Sequence, residues 1–392
     1  FVPSRLSILR YGHFPEQWKC AAISMIRKPG KNPHEVSSFR PISLLAGFSK
    51  IFETLLMDRM FACKDFELAV PMHQFGFRKE HNTEQQLRRV TQYILTAYEK
   101  KMFCSGVFID VSEAFDRVWH DGLLLKLAKL LPFCLYRVLE SYLTDRTFYV
   151  NGNSGITSRK GKIGAGVPQG SVLGPVLYTI FTSDMPLPTI AGQQHTHTSD
   201  LFNNILLSTY ADDTIILCAS KEAHSAINTN QKYLSLITKW ASQWCITLNA
   251  NKTVHVLFSR RSTTSLLGPK SPCMNGVEIK NETKYRYLGL LLDRKLILHL
   301  HTTQLINRLR STAFGLNWIL GNQSKLPTSS KITLYKQLIA PVWQYALPIW
   351  GSLISNTRFK QIEATQNKII RRIVNASRYI RNQDILPLNH QP

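Results

Sequence analysis

The chain has 392 residues, 44% of them hydrophobic and 19% charged, a globular balance that excludes a disordered polypeptide. Lysine and arginine total 48 against 25 acidic residues, so the net charge is +23, a field that favours polyanions, either nucleic acid or an anionic membrane surface. No apolar run approaches the roughly 18 to 20 residues that cross a bilayer, and scattered cysteines exclude a small disulfide scaffold.

The basic residues are spread along the chain, which suits a long folded groove better than a detachable arm. The cysteines predict mostly buried thiols in a reducing compartment. A start at Phe1-Val2-Pro3 predicts an internal piece of a longer protein with no address signal. In chain order, Ala21 to Ile26 predicts a strand, broken by the turn Arg27-Lys28-Pro29-Gly30-Lys31-Asn32-Pro33. Beyond Phe39-Arg40-Pro41, the spacing of Phe48, Ile51, Phe52, Leu55, Leu56 and Met60 predicts a helix. Asn82-Thr83-Glu84 opens a second, with Leu87, Val90, Ile94 and Leu95 on one face.

The apolar run Gly106 to Ile109 ends in Asp110. Two further runs, Leu206 to Tyr210 and Thr214 to Cys218, flank Ala211-Asp212-Asp213 and predict a hairpin with an acidic turn. Tyr233, Leu236, Ile237, Trp240 and Trp244 mark an amphipathic helix, while Val254 to Phe258 and Tyr287 to Leu292 predict strands. From about Leu300 the pattern is helical. One stripe is Leu305, Ile306, Leu309, Ala313 and Leu316; another is Ile362, Ile369, Ile370 and Ile373, with Arg358, Lys360, Lys368, Arg371 and Arg372 opposite. The whole predicts an α+β fold in front of a basic helical tail. His195 and His197 could pair on a metal, but no second pair accompanies them.

Carboxylates are scarce here, so Asp212-Asp213, with no Lys or Arg from Leu201 to Ser220, needs a reason. Two adjacent aspartates on a turn repel one another unless a cation sits between them. Asp110 ends a strand of the same type and meets them if the strands pair. Three strand-end aspartates suit Mg²⁺, which takes hard oxygen ligands and leaves positions open for water and phosphate. On a basic background the combination points to phosphoryl transfer on nucleic acid.

Phe108 to His120, Gly166-Val167-Pro168-Gln169-Gly170 with the residues to Pro175, and Tyr210-Ala211-Asp212-Asp213-Thr214 resemble, in order, catalytic motifs of reverse transcriptases from non-LTR retrotransposons. Arg40 to Leu45, Gln74-Phe75-Gly76-Phe77-Arg78 and Tyr287-Leu288-Gly289 resemble further blocks of that family. Tyr345 to Gly351 and Gln366-Asn367-Lys368 resemble its jockey-like lineage. The resemblance implies a right-hand polymerase: fingers and palm with an antiparallel catalytic sheet over 24–292, a helical thumb over 293–392 and a lead-in over 1–23. It implies that Asp110, Asp212 and Asp213 are catalytic and, with the Val111 carbonyl, hold two Mg²⁺ ions, with Mn²⁺ as a substitute. It gives Lys28, Arg40, Phe115, Gln169 and Gly170 to the nucleotide, with the Phe115 ring crowding the sugar 2′ position. Lys252 resembles the lysine that protonates pyrophosphate, and Tyr287, Leu288 and Gly289 the grip on the primer end. Asp116 and Glu113 are expected to cap and solvate a following helix.

The implied partners are an RNA template, a DNA primer and dNTPs, with no membrane, in an intracellular setting and in the nucleus during reverse transcription. Endonuclease and other element domains are expected outside this chain. Arg371 and Arg372 are expected to meet the nucleic-acid backbone. Three rivals stand beside RNA-directed DNA synthesis. Phe115 speaks against RNA-directed RNA synthesis, the intact aspartates against an inert relic that binds RNA, and the tail against a maturase-like binding protein.

Overall fold

The computed structural model describes residues 5–28, 30, 32–152, 156–188, 205–261, 270–377 and 379–382. His195 and His197 lie outside them. After helix α1 (Arg5–Tyr11), strand β1 (Cys20–Arg27) pairs antiparallel with β2 (Phe39–Leu44), setting Ile26 opposite Arg40. The turn between them thus carries Lys28 back towards Arg40. Helix α2 (Gly47–Phe61) follows, then α3 (Lys64–Ala69). The α2 stripe differs from the expected one: Phe48 and Ile51 are exposed, and Ser49, Phe52, Glu53, Leu56 and Met60 are buried. The helix turns Glu53 inward because its carboxylate has backbone donors to meet.

Helix α4 (Thr83–Glu99) begins at a reciprocal capping box between Asn82 and Gln85 and buries Leu87, Val90 and Ile94. It leads into β3 (Phe103–Ile109), which is buried along its whole length, as a central strand must be. Residues 112–117 form turns, and the following helix α5 (His120–Leu130) starts after Trp119 without a side-chain cap, so Glu113 and Asp116 do not cap it. Next come α6 (Phe133–Leu143), β4 (Thr147–Val150), β5 (Gly161–Lys162) and α7 (Gly174–Phe181). Strands β1, β2, β4 and β5 make one sheet in the order β2-β1-β4-β5. Phe14, Leu56, Tyr142 and Leu177 belong to the core beside it, so the lead-in from Ile8 to Phe14 is built into the fold.

Strand β6 (Ile205–Tyr210) turns through Ala211 and Asp212 into β7 (Asp213–Ser220), with Tyr210 paired to Asp213, as the hairpin reading requires. Helix α8 (Ala223–Gln243) and β8 (Val254–Phe258) follow, then the short strands β9 (Cys273–Met274), β10 (Val277–Glu278) and β11 (Lys280–Asn281). The central sheet runs β11-β8-β3-β7-β6, antiparallel throughout except at its β11 edge. The run expected as a strand from Tyr287 to Leu292 is split by a turn at Leu288-Gly289 into β12 (Lys284–Tyr287) and β13 (Leu290–Asp293).

The remainder is helical: α9 (His299–Gly315), α10 (Asn317–Leu320), α11 (Thr328–Leu334), α12 (Ala340–Gln344), α13 (Leu347–Trp350) and α14 (Asn356–Ile373). Phe108, Ile215 and Val256 of the central sheet share one core with Leu309, Trp350 and Ile370 of these helices. The 292/293 boundary falls within β13, the change from strand to helix comes between Asp293 and His299, and no gap in packing marks it. Among the cysteines, Cys104 and Cys218 are buried, while Cys134, Cys245 and Cys273 are exposed at helix and strand ends, so the expectation of mostly buried thiols fails. No helix among the described residues is long and apolar enough to cross a membrane.

Candidate active site

Strand β3 delivers Asp110 to the edge of the central sheet, next to the β6–β7 turn, because Ile109 pairs with Thr214 and Tyr210 with Asp213. Ala211 enters the turn with φ +57°, a left-handed backbone uncommon outside glycine. The carboxylates feel each other. Burial, with Asp212 and Asp110 acting in the same direction, pushes Asp213 up to about 6. Burial also raises Asp110; Lys252 and Lys28 pull it down while Asp212 pushes it up. Asp212 is raised by burial and pulled back by its own backbone N–H and by Arg40.

Lys28 and Arg40 thus reach the aspartates electrostatically from the β1–β2 end. Lys252 is closer still, its Nζ lying 3.8 Å from Asp110 Oδ2. The bridge between Val111 and Leu248 uses Ser112 N–H to the Thr247 carbonyl and Asn249 N–H to the Asp110 carbonyl, so it leaves the Val111 carbonyl uncommitted. These oxygen donors match the chemistry of a hard divalent cation. As they stand, no three His, Cys, Asp or Glu side chains among the described residues are close enough to hold one. An ion would have to draw Asp110 and the turn together.

The Phe115 ring stacks at 4.9 Å on Tyr178 and meets Phe77 edge-on at 6.0 Å, which fixes its plane beside the aspartates' strand end. Asp116 does not cap a helix; it accepts two 3.0 Å hydrogen bonds from Gln169 Nε2, while Glu113 pairs with Arg117. Gly170, at φ +121°, packs so tightly that a Cβ would stand 2.6 Å from the Ser43 carbonyl. Ser43 N–H also donates to the Gln169 carbonyl at 2.7 Å. The glycine is therefore explained by its approach to β2. The same contact hangs the Gln169 turn on the β1–β2 sheet.

Tyr287 needs correcting as a primer contact. Its side chain is 2% exposed, and its hydroxyl accepts from Gln86 Nε2 beneath the catalytic strands, so only the Leu288-Gly289 turn can face a ligand. Arg371 is half-committed too: its guanidinium donates to Ser377, Ile380 and Asn382, whereas Arg372 is exposed and donates to Asn317.

Sequence reading assigned no role to several residues that hold the site. The Gln74 side-chain amide brackets Ala211, accepting from its N–H at 3.0 Å and donating to its carbonyl at 3.3 Å. Gly76 touches the same turn, where a Cβ would lie 2.2 Å from Ala211 N. Buried Gln86 donates to Ser208, the Thr209 carbonyl and Tyr287. Buried Glu53 accepts from Ser49 and from the N–H groups of Val172 and Leu173. The only signal in the sequence was the Gln74 to Arg78 block.

A family model described as "Reverse transcriptase (RNA-dependent DNA polymerase)" matches residues 26–292. The chain belongs to the reverse transcriptase family. It is 42% identical, over 97% of its length, to the "RNA-directed DNA polymerase from mobile element jockey" of Drosophila melanogaster, covering 40% of that protein. It is 41% identical, over 96% of its length, to the "Probable RNA-directed DNA polymerase from transposon X-element" of the same species, again covering 40%. The chain thus spans well under half the length of these relatives. Among solved structures, an apo telomerase from Candida tropicalis superposes over 94% of this chain and 66% of that one, with a TM-score of 0.45 and 14% identity. The right-hand α+β architecture expected from the motifs is that of a reverse transcriptase.

Proposed function

We propose that the chain is an RNA-directed DNA polymerase of a non-LTR retrotransposon. A DNA primer's 3′-hydroxyl attacks the α-phosphate of a dNTP selected by an RNA template, a phosphodiester bond forms, and pyrophosphate leaves. The observation that carries this reading is the convergence of Asp110 with Asp212 and Asp213 at one sheet edge, facing Lys28 and Arg40, in a chain of this family. Asp110, the Val111 carbonyl, Asp212 and Asp213 would hold two Mg²⁺ ions, or Mn²⁺ in their place, and bound there the ions would lower the pKa of the attacking hydroxyl and neutralise charge on the pyrophosphate.

The chain's own residues do the rest. Lys28 and Arg40 grip the triphosphate by charge, and Arg40 can do so bidentately. The Phe115 ring walls off the space a 2′-hydroxyl needs. Gln169, pinned by Asp116, borders the nucleotide. Lys252, 3.8 Å from Asp110, hands a proton to the departing pyrophosphate.

The test is extension of an oligo(dT) primer on poly(rA) with dTTP, with and without Mg²⁺. Metal-dependent incorporation is expected. Asp212→Asn should abolish it with RNA binding near normal, because one charge is lost with little change in volume. Equal loss of binding and synthesis would make the aspartates structural and sink the reading.

A further inference from the structure

The segment Tyr345 to Gly351 lies beyond residues 26–292 and has no part in the chemistry above. Yet it reaches the site. The Tyr345 hydroxyl donates to the Leu288 carbonyl at 2.6 Å, and the same ring closes over Gly289, where a Cβ would stand 3.1 Å from its edge. Leu288 and Gly289 both take positive φ, +42° and +83°, as a two-residue hairpin turn does, although a leucine rarely adopts such a backbone. Arg286 secures the other side, donating to the Gly289 carbonyl at 3.2 Å.

Tyr345 is itself anchored. Fully buried Trp350 donates from its indole to the Tyr345 carbonyl at 2.9 Å, and Ala346 N–H donates to Glu84 at the start of α4 at 3.0 Å. Helix α4 in turn carries Gln86, which binds both Thr209 of the catalytic hairpin and Tyr287. Tyr210, at the end of β6, lies near enough that the Tyr345 hydroxyl adds to the rise that burial gives its phenol. Tyr345 remains 39% exposed, so the clamp is open to solvent and is not sealed within the core.

We propose that Tyr345 is a positioning residue for the primer end: it fixes the Leu288-Gly289 turn against the catalytic hairpin and makes the Tyr345–Gly351 segment a working part of the polymerase. This rests on the polymerase reading above. It assigns the segment the task of aligning a primed duplex, with no direct part in binding nucleotide or single-stranded RNA.

The experiment uses the full chain, a DNA primer with 2-aminopurine at its 3′ end annealed to RNA, and the same RNA alone. Tyr345→Phe keeps the ring and removes the hydrogen bond. It should weaken binding of the primed duplex on the order of three- to tenfold and alter the 2-aminopurine signal, as loss of one hydrogen bond implies. Binding of RNA alone and the KM for dTTP should not change, and the melting temperature should fall by no more than a few degrees. Gly289→Ala should reproduce the primer defect, and Tyr345→Ala should relieve part of it by removing the ring that the new Cβ meets. An unchanged duplex affinity and fluorescence in Tyr345→Phe would overturn the proposal. So would equal weakening for duplex and RNA alone, or additive effects of the two alanine substitutions. Failure of the wild-type chain to extend any primer would instead defeat the polymerase reading itself.

Discussion

At the scale of single residues, Asp213 makes a prediction through its charge. Its carboxyl moves from an ordinary 3.8 to about 6 in the folded chain, so the folded state binds this proton more readily than the unfolded one. Stability contributed by this group is therefore present below the unfolded value and falls as pH rises through about 6. A divalent cation at the site would offset that loss. In scanning fluorimetry, the rise in melting temperature caused by Mg²⁺ should be larger near pH 7 than near pH 5, and Asp213→Asn should flatten the difference. A Mg²⁺ effect of equal size at both pH values would place the ion elsewhere. Phe115 makes the second residue-scale prediction. Its ring is partly buried against Tyr178, so Phe115→Val should cost about 1–2 kcal/mol while opening the space beside C2′. Competition between dTTP and UTP should show discrimination reduced by about tenfold or more; unchanged discrimination would refute the steric role.

At the scale of elements, the turns that carry the chemistry are set by contacts from elsewhere. Glu53 on α2 holds the Val172 and Leu173 N–H groups at the start of α7, and hence the Gln169-Gly170 turn before it. Glu53→Ala would strand those buried donors and the Ser49 hydroxyl, at a cost of about 2–4 kcal/mol in urea unfolding. The KM for dNTP should rise as the turn loosens, while RNA binding holds. A stability loss below about 1 kcal/mol would show that water replaces the carboxylate without penalty. Gln74 and Gly76 serve the β6–β7 turn in the same way: only a residue without a side chain can lie against Ala211 N.

At the scale of the whole molecule, a net charge of +23 should make nucleic-acid affinity fall steeply with salt. The two C-terminal arginines divide the test between them. Arg372 is exposed on α14, so Arg372→Glu should lower the slope of log affinity against log salt by about one unit, whatever the RNA sequence. Arg371 is occupied with Ser377, Ile380 and Asn382, so Arg371→Glu should loosen that C-terminal turn and leave the slope alone. Filter binding over a salt series separates the two, and an unchanged slope for Arg372→Glu would take α14 off the nucleic-acid path. The shared core of the sheet and α9–α14 adds that destabilisation in these helices should reach the catalytic strands.

The sequence by itself determined strands β1, β3, β6, β7 and β8, the acidic hairpin and helices α2, α4, α8, α9 and α14, and it singled out the three aspartates. Each rests on short-range chemistry: apolar runs between breakers, a capping box at Asn82, two adjacent carboxylates without a neighbouring cation. Only the tertiary structure decided which residues hold those aspartates in place. Gln74 meets Ala211 across 137 positions, Gln86 meets Tyr287 across 201, and Ala346 meets Glu84 across 262. No local periodicity encodes such pairs. It also decided that Asp116 serves Gln169 instead of a helix cap and that Tyr287 is core, because a side chain's role follows from what folding brings opposite it. A buried polar group must find a partner wherever the chain supplies one, and that partner lies far away in sequence.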